Sequence, residues 1–309
     1  MPDYLVLKSK HTGFTSNYLK NRGVYMKNKI NLFGFISLAV IISLLTIGCT
    51  KDDEDEKEVP ESPTSLDPNA SGVKTYTSNG RGSLSGSPYH YEMWTAGGSG
   101  NKILWYGPNQ GGGAAFRAEW NNPNDFLGRI GYYWGSGGPY TNYKNMYADF
   151  TYTRSGKSTA GNYSYIGIYG WGRNPSASTD SEKLIEYYIV EDWFGNQWQG
   201  DTSPVGTNTT GGTQVGSYSL DGATYNVIKN VRNNADSIDG KKTFTQFFSI
   251  RQTLRKSGTI SITEHFKKWE ALNMILGNMY EAKFLVEAGG GTGWLDLSYL
   301  KFSQEDSPR

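Results

Sequence analysis

The sequence predicts an all-β domain of the sandwich or jelly-roll kind, on three observations. From about Gly72 onward, short aromatic and β-branched runs are broken by Gly, Asn, Ser and Asp turns. The 309 residues include 39 Gly, 22 Tyr and 9 Trp but only 19% charged residues, a composition rich in turns and aromatic faces. Only one stretch of the folded part has a helical period. No internal repeat or second folded domain is visible, and the domain is expected over residues 73–305.

The N-terminus reads as an address. Ile30 to Thr50 carries no charge, follows Lys27 and Lys29, and ends Leu45-Thr46-Ile47-Gly48-Cys49. A basic start followed by an apolar run is a secretory signal. The only cysteine, Cys49, falls where a bacterial lipobox puts its acylated residue, although Thr46 stands where Leu is usual. An uncleaved membrane anchor is the alternative, since the uncharged run is long enough to span a bilayer. Met26 is the natural start, and residues 1–48 are read as upstream extension plus lipoprotein signal. Residues 49–72 follow as a tether. Lys51-Asp52-Asp53-Glu54-Asp55-Glu56-Lys57-Glu58 and then Pro60, Pro63 and Pro68 cannot bury enough apolar surface to fold. The expectation is an exported protein, on the outer membrane or cell surface through a lipid on Cys49, otherwise secreted.

Three strands carry the argument inside the domain. In Tyr163-Ser164-Tyr165-Ile166-Gly167-Ile168-Tyr169-Gly170-Trp171 the four aromatics face one way, and Ile166 and Ile168 the other. The aliphatic face belongs in the core; the aromatic face is either a second core layer or the lining of a cleft. Leu184-Ile185-Glu186-Tyr187-Tyr188-Ile189-Val190-Glu191 puts Glu186, Tyr188 and Val190 on one face and Ile185, Tyr187 and Ile189 on the other. An acid between tyrosines in such a strand is partly desolvated and chemically useful; the bland alternative is a surface Glu on a solvated face. Glu287, after Phe284-Leu285-Val286, is a second carboxylate in a similar setting. Thr243 to Arg251 forms a third strand, with Gln246 between Phe244 and Phe248 on one face. The helix is predicted over Thr263–Leu272, capped by Thr263, with Phe266, Trp269 and Leu272 near a 3.6-residue period. His265 near its start is read as structural, because nothing nearby in sequence would orient it for catalysis.

Several function classes fall away. The three histidines, His11, His90 and His265, are far apart, and no metal-ligand spacing or phosphate-cradling Gly-rich loop occurs. No cofactor and no metal are expected. The first 48 residues hold six of the 30 basic and one of the 29 acidic side chains, so the remainder carries a net charge of −4. That balance argues against a nucleic-acid partner. Aromatic faces at this density suit stacking on sugar rings.

The motifs taken together resemble glycoside hydrolase family 11, the endo-β-1,4-xylanases. The resemblance starts at Tyr169-Gly170-Trp171-Gly172-Arg173-Asn174-Pro175 and Leu184 to Glu191. It continues through Asp236-Ser237-Ile238-Asp239-Gly240, Phe244-Thr245-Gln246, Ser249-Ile250-Arg251 and His265-Phe266-Lys267-Lys268-Trp269, and ends at Leu276 to Glu281 and Val286-Glu287. The motifs keep the family's order and span roughly Thr77 to Phe302. The resemblance implies a β-jelly roll of two strongly curved antiparallel sheets with one short α-helix and a long cleft. It implies xylan and xylo-oligosaccharides as partners and a monomer. Glu186 is similar to the family's nucleophile and Glu287 to its acid/base. Trp94 resembles the tryptophan that stacks on a xylose, and Asp125 occupies the position beside the acid/base, where Asp goes with an acidic pH optimum and Asn with a more neutral one. Tyr165, Tyr169, Tyr188, Arg232, Ser237, Ile238, Phe244 and Gln246 fall on positions that hold the sugar or the nucleophile.

Three departures stand out. Ser176–Lys183 is an eight-residue insertion before the nucleophile strand. The thumb loop, Val231–Lys242, has Asp236 where the family usually has Pro. After Glu287 the chain runs Ala288-Gly289-Gly290-Gly291-Thr292-Gly293 rather than Gly-Tyr-x-Ser-Ser-Gly. The expected electrostatics are a Glu186 held ionised by hydrogen bonds from groups such as Tyr188 and Gln246. Glu287 is expected to stay protonated by burial and by the negative charge across the cleft, sharing its proton with Asp125. A non-catalytic carbohydrate-binding jelly roll is the reading from another class.

Overall fold

The computed structural model describes residues 65–157, 163–194 and 212–309. The signal, Cys49 and most of the tether lie outside the described residues. All the described residues belong to one compact unit.

Two sheets make up the body. The smaller one joins β1 (Lys74–Tyr76), β4 (Lys102–Trp105), β5 (Phe116–Asn121), β16 (Thr292–Glu305), β7 (Asn145–Lys157) and β13 (Ser257–Ser261), in that spatial order. The larger one runs β10 (Thr213–Leu220), β11 (Ala223–Ala235), β12 (Lys242–Arg251), β9 (Leu184–Asp192), β8 (Ser164–Arg173), β15 (Glu281–Ala288), β6 (Asp125–Tyr133), β3 (His90–Ala96) and β2 (Gly80–Ser83). The two-residue β14 (Asn278–Met279) pairs with β8. Pairing is antiparallel apart from β9 with β12, which run parallel. This is the jelly roll expected from the sequence.

Period-2 alternation decides which face of the larger sheet goes where. Ile166, Ile168, Ile185, Tyr187 and Ile189 point into the core, where they meet Trp105, Phe116 and Phe150 of the smaller sheet. Tyr165, Tyr169, Trp171, Tyr188, Val190, Phe244 and Phe248 form a second cluster on the opposite face. A sheet with apolar side chains on both faces needs a second occupant for the outer one, and this geometry leaves it as a cleft wall.

The one α-helix among the described residues, α1 (Ile262–Ala271), packs its Phe266 and Trp269 against Tyr187, with ring centroids 5.2 and 5.8 Å apart. Trp269 Nε1 donates to Ser249 Oγ at 2.7 Å, so the helix is pinned to the back of β12. The expected Thr263 cap is corrected: Ser261 is the N-cap and makes no side-chain capping bond. Thr263 lies inside the first turn, where its Oγ1 accepts the Met146 amide at 2.9 Å. A buried neighbouring strand competes for the hydroxyl and wins, because an unmet backbone N–H costs more than a weak cap. His265 is fully buried against Tyr218, 2.7 Å from its hydroxyl, and its Nε2 lies 3.5 Å from Asp221, a structural role as read from the sequence.

Candidate active site

Ladder register explains how distant segments meet. Trp94 on β3 pairs with Leu127 on β6, Leu127 with Glu287 on β15, and Glu287 with Tyr165 on β8. A second row runs Trp171 on β8, Glu186 on β9, Gln246 on β12 and Asn230 on β11. Residues directly opposite share a face, so both acids point into the cleft. The two rows cross β8 six residues apart. Accumulated strand twist and the bulge between Ile166 and Gly167 turn them toward each other. The Tyr188 hydroxyl interacts with both carboxyls, and the charge of Glu186 acts directly on Glu287.

The cleft has a volume of about 740 Å³. Trp94, Asp125, Tyr165, Tyr169, Glu186, Tyr188, Arg232, Ser237, Ile238, Phe244, Gln246 and Glu287 all line it, so each site residue expected from the sequence reaches one cavity.

Glu186 sits in a directed relay. Trp171 Nε1 donates to the Tyr169 hydroxyl at 2.6 Å, and that hydroxyl donates to Glu186 Oε1 at 2.8 Å. From the other side Asn230 Nδ2 donates to Gln246 Oε1 at 2.7 Å, and Gln246 Nε2 donates to Glu186 Oε2 at 2.6 Å. Asn230 thereby fixes which end of the Gln246 amide faces the carboxylate. Burial nevertheless pushes the Glu186 carboxyl up, against the hydrogen bonds from Gln246, Tyr169 and Tyr188 and the nearby Arg232 charge. Desolvation, expected for an acid set between tyrosines, is the largest effect on Glu186, ahead of the hydrogen bonds expected to hold it ionised.

Glu287 is held well above the ordinary carboxyl range, first by burial and then by the charges of Asp125 and Glu186. Asp125 is raised to about 7, again mainly by burial, with Tyr163 hydrogen bonding and Arg232 working the other way. Glu287 Oε2 and Asp125 Oδ1 are buried without a hydrogen-bond donor among the described residues. Such atoms favour the protonated form. The two glutamates thus occupy unequal environments, Glu186 with a donor on each oxygen and Glu287 with one buried oxygen that has none, as separate acid and base work requires.

Sequence reasoning gave no role to Arg129, Glu92 or Asn230, which line the cleft together with Tyr163 of the aromatic face. Arg129 is buried with its guanidinium 4.6 Å from the Tyr169 ring centroid, and it pairs with Glu92 at 3.0 Å and Glu281 at 3.4 Å. Parity could have found it: Asp125, Leu127 and Arg129 alternate on β6, just as Glu92 precedes Trp94 by two and Asn230 precedes Arg232 by two.

The departures also have positions. The insertion carries a 3₁₀ turn at Asp180–Glu182 and folds onto the strands behind the thumb. Glu182 pairs with Lys229 at 2.5 Å, and Thr245 Oγ1 donates to the Ser181 carbonyl at 2.8 Å. At the thumb tip Asp236 pairs with Lys241 at 3.1 Å, and Asp239 takes a bidentate bond from Arg173 at 2.5 and 2.8 Å.

Comparison with known proteins agrees with this geometry. The profile of Glycosyl hydrolases family 11 matches residues 86–298. Endo-1,4-beta-xylanase C of Fibrobacter succinogenes is 41% identical over 227 residues, 74% of this chain and 33% of the relative. Endo-1,4-beta-xylanase A of Bacillus pumilus is 37% identical over 221 residues, 72% of this chain and 83% of the relative. The crystal structure of wild-type ENZbleach xylanase superposes with a TM-score of 0.72 at 59% identity, covering 82% of this chain and 94% of that one. The chain spans between a third and somewhat over half of the length of the first curated relatives it matches. With sheet order, cleft and sequence in agreement, the chain belongs to the glycosyl hydrolases of family 11.

Proposed function

We propose that this chain hydrolyses internal β-1,4-xylosidic bonds of xylan with retention of configuration, Glu186 acting as nucleophile and Glu287 as acid/base. The observation that carries the reading is the pair of buried acids on one cleft face, with Tyr188 between them and the higher pKa on Glu287. Direct attack requires the carboxyls to stand about 5–5.5 Å apart. In the first step the Glu186 carboxylate bonds to C1 of the xylose while the Glu287 proton passes to the departing glycosidic oxygen. In the second, water attacks C1, gives its proton to Glu287 and releases Glu186. Tyr169 and Gln246 orient the nucleophile; Trp94 offers a ring face to a sugar. Asp125 holds a proton together with Glu287, so the ionisations belong to the pair.

Xylan as the substrate is supported by the names of the relatives, and endo cleavage by a cleft lined along its walls with aromatic rings. A non-catalytic carbohydrate-binding role would not need two desolvated acids. Release of reducing sugar from xylan but not from carboxymethyl cellulose supports the reading. Glu186→Gln and Glu287→Gln should each abolish it, and substantial activity in either variant defeats the assignment. We further propose export with a lipid on Cys49, on the strength of the lipobox-like Leu45 to Cys49. Fatty-acid label that is absent from the wild type, or that survives Cys49→Ala, refutes this.

A further inference from the structure

We propose that Arg81 binds a carboxylate carried as a side substituent on the polysaccharide, so that the cleft prefers xylan bearing uronic acid groups. The proposal rests on the xylanase reading and adds a specificity-determining residue to it. Arg81 lies on β2, the outermost strand of the larger sheet, one strand outside the strand that carries Trp94. Its ladder row continues through Glu92 and Arg129, which puts it on the cleft face, and it lines the cavity.

Charge counting singles it out. Two carboxylates and two buried cations next to it satisfy one another. Glu92 lies 3.0 Å from Arg129 and 3.4 Å from Lys283; Glu281 lies 2.6 Å from Lys283 and 3.4 Å from Arg129. Arg173, whose guanidinium faces the Tyr280 ring, is matched by Asp239. Among the described residues Arg81 has no carboxylate within ion-pair distance, so this corner of the cleft carries one positive charge in excess. Arg81 Nη1 donates to the Tyr280 hydroxyl at 2.9 Å. That bond fixes the direction of the guanidinium and leaves most of its five N–H donors for a ligand.

A neutral pentose chain has hydroxyls and ring faces to recognise, and the aromatic walls serve those. An exposed, oriented guanidinium matches the planar, two-oxygen geometry of a carboxylate, which a neutral hydroxyl lacks. Between β2 and the Glu287 strand lie three strand spacings, about 14 Å. The group that Arg81 meets is therefore carried by a sugar remote from the scissile bond, where binding energy can still lower the barrier.

The test compares kcat/KM on three substrates. These are a xylo-oligosaccharide with one uronic acid substituent, the same compound with the carboxyl reduced to an alcohol, and the unsubstituted oligosaccharide. The wild type is expected to favour the acid over its reduced form by about tenfold at low salt, in the range of a charged hydrogen bond. Added salt should shrink that ratio. In Arg81→Gln the ratio should fall to about one, and Arg81→Lys should restore part of it without the bidentate geometry. A ratio near one in the wild type, or one that survives Arg81→Gln, overturns the proposal while the xylanase reading stands. Failure of the wild type to cut any of the three overturns both.

Discussion

In the proposed mechanism Asp125 decides how the acid/base behaves as pH changes. There Glu186 must be ionised to attack, so activity falls as pH drops through its raised pKa. The Glu287–Asp125 pair must keep its protons, so activity also falls as pH rises past the first ionisation of the pair, with Asp125 near 7. Asparagine cannot ionise. Asp125→Asn is therefore expected to leave that limb to the ionisation of Glu287 alone and move the optimum of kcat/KM upward. An unmoved profile rules out the role, and a downward move would mean that Asp125 acts only through its charge on Glu287. Arg129 offers a second test. Replacing it with Met leaves the buried Glu281 and the half-buried Glu92 with Lys283 alone, which should cost about 3–5 kcal/mol in urea unfolding. A loss under about 1 kcal/mol contradicts the view that the ion network under Tyr169 is structural. Both acids were visible in the sequence because a carboxylate within a β-branched and aromatic strand violates the local pattern. The size of their pKa shifts was not, since desolvation depends on what the other strands place above them.

Strands proved the easiest elements to read. Alternation on β8, β9 and β12 assigns each side chain to core or cleft, because a period of two permits only two faces. The helix was recognisable from Phe266 and Trp269, whereas its cap was not. Whether Thr263 caps or bonds to Met146 depends on a strand more than a hundred residues earlier. The parallel pairing of β9 with β12 was hidden for the same reason: strand direction within a sheet is a property of topology. In the thumb, the Arg173–Asp239 pair is more than a third exposed on the Arg173 side and tethers the tip to the end of β8. Surface pairs contribute less than about 1 kcal/mol. Asp239→Asn should accordingly leave unfolding stability almost unchanged while raising KM for long xylan through a looser thumb. A large stability loss with unchanged KM would contradict this.

At the scale of the whole molecule, the cleft is made at a cost in stability. The carboxyls of Glu186, Glu287 and Asp125 all have folded pKa values above their ordinary ones. Between the ordinary and the raised value the unfolded chain binds fewer protons than the folded one, so these groups lower stability as pH rises. Glu287→Gln is then expected to be more stable than the wild type at pH 7–8, with the difference shrinking toward pH 4. Equal melting temperatures across that range would count against a desolvated, protonated Glu287. The global architecture was legible because turn residues, aromatic content and one short helical stretch agree on a single class. The curvature that turns two distant ladder rows toward one groove was not, since it accumulates over many strands. The most direct measurement of the central claim uses a 2-deoxy-2-fluoro xylobioside with a good leaving group, followed by peptide mass spectrometry. A fluoroxylobiosyl adduct on the peptide containing Glu186, absent from Glu186→Gln, is the predicted result. No adduct, or one on another residue, would contradict it.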